Sequence, residues 1–239
     1  MNIRILKTLI KKDCKNCLCN KNILFMLAIP VVFCVLYGYV LGNAEGMSPM
    51  YTLQLCAIFS VSMIPTTVLP TMIAEEKEKN TLRSLMLANV KGQEFLVSKL
   101  AVCMALTVMD ALIVFYVAEG EIKALPVYLL SIVISTCGLL FLGAVAGLLS
   151  KDQTSAGTIG SPLLMLVMIP PLFSNIHETI SKVAVFVPTT SFQTIFYSYT
   201  EGGKLLQHDN VTAMAVCAVW IAAGYIIFNI FYKRKGIDY

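Results

Sequence analysis

Asp110 is the residue whose position most constrains chemistry in this sequence. It lies inside the apolar run from Gln93 to Ala118. Counted eleven positions beyond Lys99, at 1.5 Å per residue, it sits roughly 16 Å into a hydrocarbon core about 30 Å thick. A carboxylate near the midplane costs about 2.5–3.5 kcal/mol on insertion scales, so its side chain is expected to face a pathway or another helix rather than lipid. A proton carrier and a helix-to-helix hydrogen bond are the two chemistries this position allows. Cys14, Cys17 and Cys19 are the next candidates, because thiolates at that spacing take soft metals. With no fourth ligand nearby, they read as part of an apolar helix face. His177-Glu178 and His208-Asp209 are isolated pairs and read as solvated surface. No metal site and no catalytic residue is expected.

The elements that must position these residues are membrane helices. The chain has 239 residues, 57% of them hydrophobic and only 13% charged, with mean hydropathy +0.77. At about 20 residues per span, six spans use about half the chain and leave no room for a folded soluble domain. The fold class is an all-α polytopic membrane protein forming one transmembrane domain over 1–239. Residues 1–22 form a basic interfacial helix. Spans 1 and 2 fill 23–74, a polar segment occupies 75–92, and spans 3 to 5 fill 93–173. An outer amphipathic segment follows over 174–210, then span 6 over 211–232 and a tail over 233–239. A small outer loop holds Asn43, Glu45 and Gly46. Span 2 carries Pro65 and Pro70, each lacking a backbone donor, so a kink is expected there, with Thr66 and Thr67 supplying hydrogen bonds to the freed carbonyls. Span 4 contains Gly143-Ala144-Val145-Ala146-Gly147, a small-residue face read as ordinary close helix packing.

Charge placement sets the sidedness. Assigning residues 1–22, 75–99, 150–154 and 233–239 to the inside gathers fifteen of the eighteen Lys and Arg residues there and leaves Lys123, Lys182 and Lys204 outside. Both termini are then cytosolic and the number of spans is even. Residues 174–200 should therefore lie on the outer leaflet, with Phe192, Phe196, Tyr197 and Tyr199 at that interface.

The polar segment reads Glu75-Glu76-Lys77-Glu78-Lys79-Asn80-Thr81-Leu82-Arg83-Ser84-Leu85-Met86. Its charges cannot lie in hydrocarbon, yet Leu82, Leu85 and Met86 keep helical spacing. Asn80 suits a left-handed position that ends one helix, while Thr81 is placed to cap the next. Glu75-Glu76 with Arg83 also resembles the glutamate pair of some intramembrane proteases, but such sites need histidines within reach, and His177 and His208 fall on the opposite side. No phosphate-cradling GxxxxGK[ST] loop and no dinucleotide loop is present.

This segment between spans 2 and 3, with Val90 and Lys99 after it and Val187-Pro188 ahead of the aromatic residues, resembles the ABC-2-type export permeases over nearly the whole chain. Asn80 stands where that family usually has Gly. The resemblance implies that residues 81–89 are a coupling helix docking in a separate ABC ATPase. Glu75, Glu76, Glu78, Asn80, Thr81, Leu82, Arg83, Leu85 and Met86 would serve that coupling, and Pro65, Pro70 and Asp110 would serve the translocation pathway or a helix interface. It also implies two ATPase subunits per complex, which bind ATP and Mg while this chain holds no cofactor. A second permease copy would complete a homodimer, or a similar permease a heterodimer, in a bacterial plasma membrane. No nucleic-acid partner is expected. The absence of a large outer domain favours a lipophilic or amphipathic cargo: an antimicrobial peptide, a drug or a lipid. A proton-coupled secondary transporter using Asp110 and a non-transporting immunity or anchor protein are the alternatives.

Overall fold

The computed structural model describes residues 3–41, 49–88, 90–174, 178–200, 202 and 207–235, and every regular element among them is helical. Asn43, Glu45, Gly46, His177 and Lys204 lie outside the described residues. In chain order come α1 (Ile3–Cys19), α2 (Lys21–Leu41) and α3 (Pro49–Met63), which passes through a π turn (Ile64–Val68) into α4 (Leu69–Glu78). The short α5 (Thr81–Leu87) precedes α6 (Gly92–Val117), α7 (Leu125–Leu149) and α8 (Gln153–Phe173). Last come α9 (Glu178–Ala184), α10 (Pro188–Thr200) and α11 (His208–Lys235).

Six helices are long and apolar enough to cross a membrane: Lys21–Tyr39, Met50–Glu78, Gly92–Val117, Ile122–Leu149, Gln153–Phe173 and His208–Phe231. These are the six expected spans. Helix α9 has 7 residues and α10 has 13, too few for either to cross about 30 Å of hydrocarbon.

Span 2 is the axis of the molecule. Of its apolar window 94% is buried, against 17% for span 1 and 22% each for spans 5 and 6, so those three keep most of their surface for lipid or another chain. A helix apolar all round is a buried helix, and the small or hydroxylated Ala57, Ser60, Ser62, Thr66 and Thr67 let neighbours close in on it.

The two prolines of span 2 produce a π turn. Across it, the Leu69 N–H donates to the carbonyl of Ile64, five residues back. The threonine hydroxyls donate one turn back, Thr66 Oγ1 to Ser62 O at 2.7 Å and Thr67 Oγ1 to Met63 O at 2.6 Å, rather than to Val61 O and Thr66 O, the carbonyls whose regular donors Pro65 and Pro70 lack. Glycines face this widened turn. A Cβ on Gly143 of α7 would lie 1.8 Å from Pro65 O, and one on Gly160 of α8 would lie 2.4 Å from Thr66 O. The small-residue face of span 4 is thus used up within this chain.

At the end of the bundle away from α1 and α5, the aromatic residues of 192–199 divide. Phe192 and Phe196 are fully buried and pack on Tyr128, with ring centroids 5.9 and 5.2 Å away, while Tyr197 stays exposed. Their i, i+4 spacing puts both phenylalanines on the inward face of amphipathic α10. They are core residues rather than interfacial ones. Thr189 Oγ1 donates to Val167 O and Trp220 Nε1 to Phe186 O, each at 2.7 Å, fastening α8, α10 and α11 together.

Candidate coupling site at the charged end of span 2

The last turn of α4 is where span 2 leaves apolar sequence, and each of its charged residues bonds a different element. Glu75 accepts from Asn20 Nδ2 at 2.9 Å, at the start of α2, and pairs with Lys79 one turn on. That carboxylate holds the Lys79 ammonium above its usual range. Lys77 Nζ donates to Ser150 O at 2.9 Å and Gly147 O at 3.2 Å, covering carbonyls that the end of α7 leaves unpaired. Glu78 Oε2 accepts from Gln153 N at 3.1 Å, at the start of α8. Asp152 caps that same helix by accepting from Ser155 N at 2.7 Å, and this bond holds its carboxyl below the usual range.

Glu76 is the most buried of these, 4% exposed. Lys12 Nζ of α1 reaches its two oxygens at 2.7 and 2.9 Å, and Lys99 Nζ of α6 reaches Oε1 at 3.0 Å. Lys99, 2% exposed, also binds Asp13 Oδ1 at 2.7 Å, and Asp13, 1% exposed, accepts from Ser98 Oγ at 3.1 Å. Two ammonium groups thus balance two carboxylates. Balance is required, because a buried charge without a partner costs several kcal/mol. The Lys99 ammonium also sits 5.3 Å from the Phe95 ring centroid. On sequence alone Lys99 only marks the start of span 3, and Lys12 and Asp13 are not singled out. The available signal is that Asp13 is the lone acid in a helix carrying Arg4, Lys7, Lys11, Lys12 and Lys15.

Asn80 adopts the expected left-handed conformation, φ 54°, and separates α4 from α5. Thr81 behaves otherwise than expected. Its hydroxyl turns back to the Glu76 carboxylate and to Glu76 O at 3.1 Å instead of capping α5, because a buried carboxylate is the stronger acceptor. Leu82 and Leu85 are half-buried against the chain's own apolar cluster, whereas Leu87 is 80% exposed. The side chains of Arg83 and Met86, and residue Asn89, lie outside the described set.

The remaining candidates lie elsewhere. Asp110 is buried between α6 and α3 beside Ser60, and its Oδ2 has no hydrogen-bond partner among the described residues. Pro65 lies in the π turn and Pro70 in the first turn of α4, facing Gly143 and Gly147 of α7, away from the charged cluster. No group of three His, Cys, Asp or Glu side chains able to hold a metal is found among the described residues.

Both carboxylates of this cluster are engaged by ammonium groups. The cluster is suited to joining helix ends. The family model described as ABC-2 family transporter protein matches residues 45–232. The chain belongs to the ABC-2 transporter family. It is the multi-pass membrane permease of an ABC-type transporter, and family membership implies association with ABC ATPases. A search among curated proteins found no match. The matched part of this permease begins after α1, so Lys12 and Asp13 come to the site from a helix ahead of it.

Proposed function

We propose that this permease is the membrane half of an ATP-driven exporter and that α5 is its docking element for the ATPase. One observation carries the reading: α5 projects Leu87 into solvent directly after the Glu75–Thr81 knot, which bonds α1, α2, α6, α7 and α8. A push on α5 is therefore delivered to several helix ends at once. Glu75, Glu76 and Glu78 act in coupling through these internal bonds, while Leu87 and the outward parts of Leu82 and Leu85 meet the partner, together with Arg83 and Met86 of the same helix. Two ATPase subunits bind ATP and Mg, and two permeases, identical or similar, enclose the pathway with both termini in the cytosol. The exposed apolar surfaces of spans 1, 5 and 6 support both a second permease and a lipophilic or amphipathic cargo.

The test pairs Leu87→Asp with the double variant Leu85→Asp, Met86→Asp. Each is expected to insert in the membrane and to lose co-purification with the ATPase. Undiminished ATPase retention by both overturns the docking role. The buried, unpartnered Asp110 oxygen favours one rival, proton coupling. That rival is read in ATP-depleted vesicles, where pH-driven transport abolished by Asp110→Asn would replace the ATP-driven mechanism.

A further inference from the structure

Three sulfurs from three helices meet behind the charged cluster. Met72 Sδ of α4 lies 3.5 Å from Cys17 Sγ of α1 and 3.5 Å from Cys103 Sγ of α6. All three side chains are buried, and the two thiols are near enough to act on one another electrostatically. A three-coordinate ion with bonds of about 2.3 Å holds its sulfurs about 4 Å apart, close to the two 3.5 Å separations from the thioether, and binding would also set the separation of the two thiolates at about 4 Å. Cys17 and Met72 also line a cleft shared with Lys12, Asn16, Glu75 and Lys79.

We propose that Cys17, Met72 and Cys103 bind one soft monovalent cation, Cu(I), as a site of two thiolates and one thioether. Softness selects the ion. Thiolate and thioether sulfurs prefer Cu(I), whereas a structural zinc site takes four ligands, usually thiolate and imidazole. Two thiolates and one monovalent ion leave one net negative charge, which the Lys99 ammonium favours and which Asp13 and, at Cys17, Glu75 oppose. Binding forms two copper–thiolate bonds, takes a lone pair from Met72 and releases the two S–H protons to solvent, with no change of oxidation state. Because both thiols must lose a proton to bind, protons compete for the site and affinity falls as pH falls. Occupied, the site would tie α1 to α4 and α6 across the same joint that Lys12, Asp13, Glu76 and Lys99 hold by charge.

The experiment is an anaerobic titration of the full-length reduced protein in detergent with Cu(I), against a chromophoric Cu(I) chelator, followed by X-ray absorption at the copper edge. The expected result is one Cu(I) per chain with three sulfur ligands at about 2.3 Å. Cys17→Ser and Cys103→Ser should each weaken binding by more than the roughly 100-fold that loss of an outer-shell group costs. Met72→Leu, which preserves shape and hence the fold, should weaken binding and reduce the count to two sulfurs. The double variant Cys14→Ser, Cys19→Ser should bind as the unaltered chain does. Absence of one-to-one binding overturns the proposal. So does binding that survives Met72→Leu with unchanged coordination, or that is lost in the Cys14, Cys19 variant.

Discussion

Glu76 and Lys99 look at first like ordinary surface charges, since both stand in polar sequence at the ends of spans. Their burial changes what each is worth. Lys99→Met leaves Asp13 and Glu76 as two buried carboxylates with only Lys12 to answer them. It should destabilise the protein by about 3–5 kcal/mol. Adding Asp13→Leu removes the second half of that pair while Lys12 keeps Glu76. The double variant should regain most of the loss in thermal unfolding in detergent, and a double variant no more stable than the single one would refute the pairing. Asp110 poses the opposite case. Its Oδ2 is buried with no partner among the described residues, so Asp110→Leu should leave stability unchanged or raise it by about 1–3 kcal/mol in the same assay. A large loss would show that the bond to Ser60 outweighs the cost of the unpaired oxygen. From sequence Asp110 is conspicuous because one acid interrupts a long apolar run. Asp13 is not, because one acid among many lysines on a short helix looks solvated until α6 is laid against it.

At the scale of elements, helix contact distances decide what each segment tolerates. Gly143 meets Pro65 O so closely that Gly143→Val must push α7 off the π turn, at a cost of about 1–3 kcal/mol or more. Gly157, with no neighbour within 4 Å of its would-be Cβ, should accept Ala and gain about 0.4–1 kcal/mol. Comparing the two melting temperatures checks the contrast. The start of α8 should be sensitive to acid. The Asp152 carboxyl is held below its usual range, so its contribution is complete above that range and is lost as pH falls through the lowered value. The protection of the Ser155 amide, taken relative to its intrinsic exchange rate at each pH, should then fall with acidification, and Asp152→Asn should abolish that change. The spans, the Asn80 break and the irregularity of span 2 at its prolines were legible because hydropathy, left-handed preference and proline chemistry are local. The inward turn of Phe192 and Phe196 was not, because it depends on Tyr128, which is distant in sequence.

For the whole molecule, the expected sidedness places α1, α5 and the start of α8 together in the cytosol, and the fold brings their anchoring residues to one end. Cys14 and Cys19 are exposed on α1 while the cysteines of the spans are mostly buried. A membrane-impermeant maleimide should therefore label Cys14 and Cys19 in inside-out vesicles and not in intact cells. Labelling of intact cells would reverse the orientation. The π turn has one more effect, on rotational phase. Because Leu69 bonds five residues back instead of four, the turn admits one extra residue, and one residue corresponds to about 100° around a helix. Were span 2 regular throughout, α3 could keep its contacts only with Glu75 and Glu76 swung roughly a quarter-turn from Asn20, Lys12 and Lys99. The widened turn acts as the angular offset that lets one helix satisfy the apolar neighbours of its first half and the charged neighbours of its second.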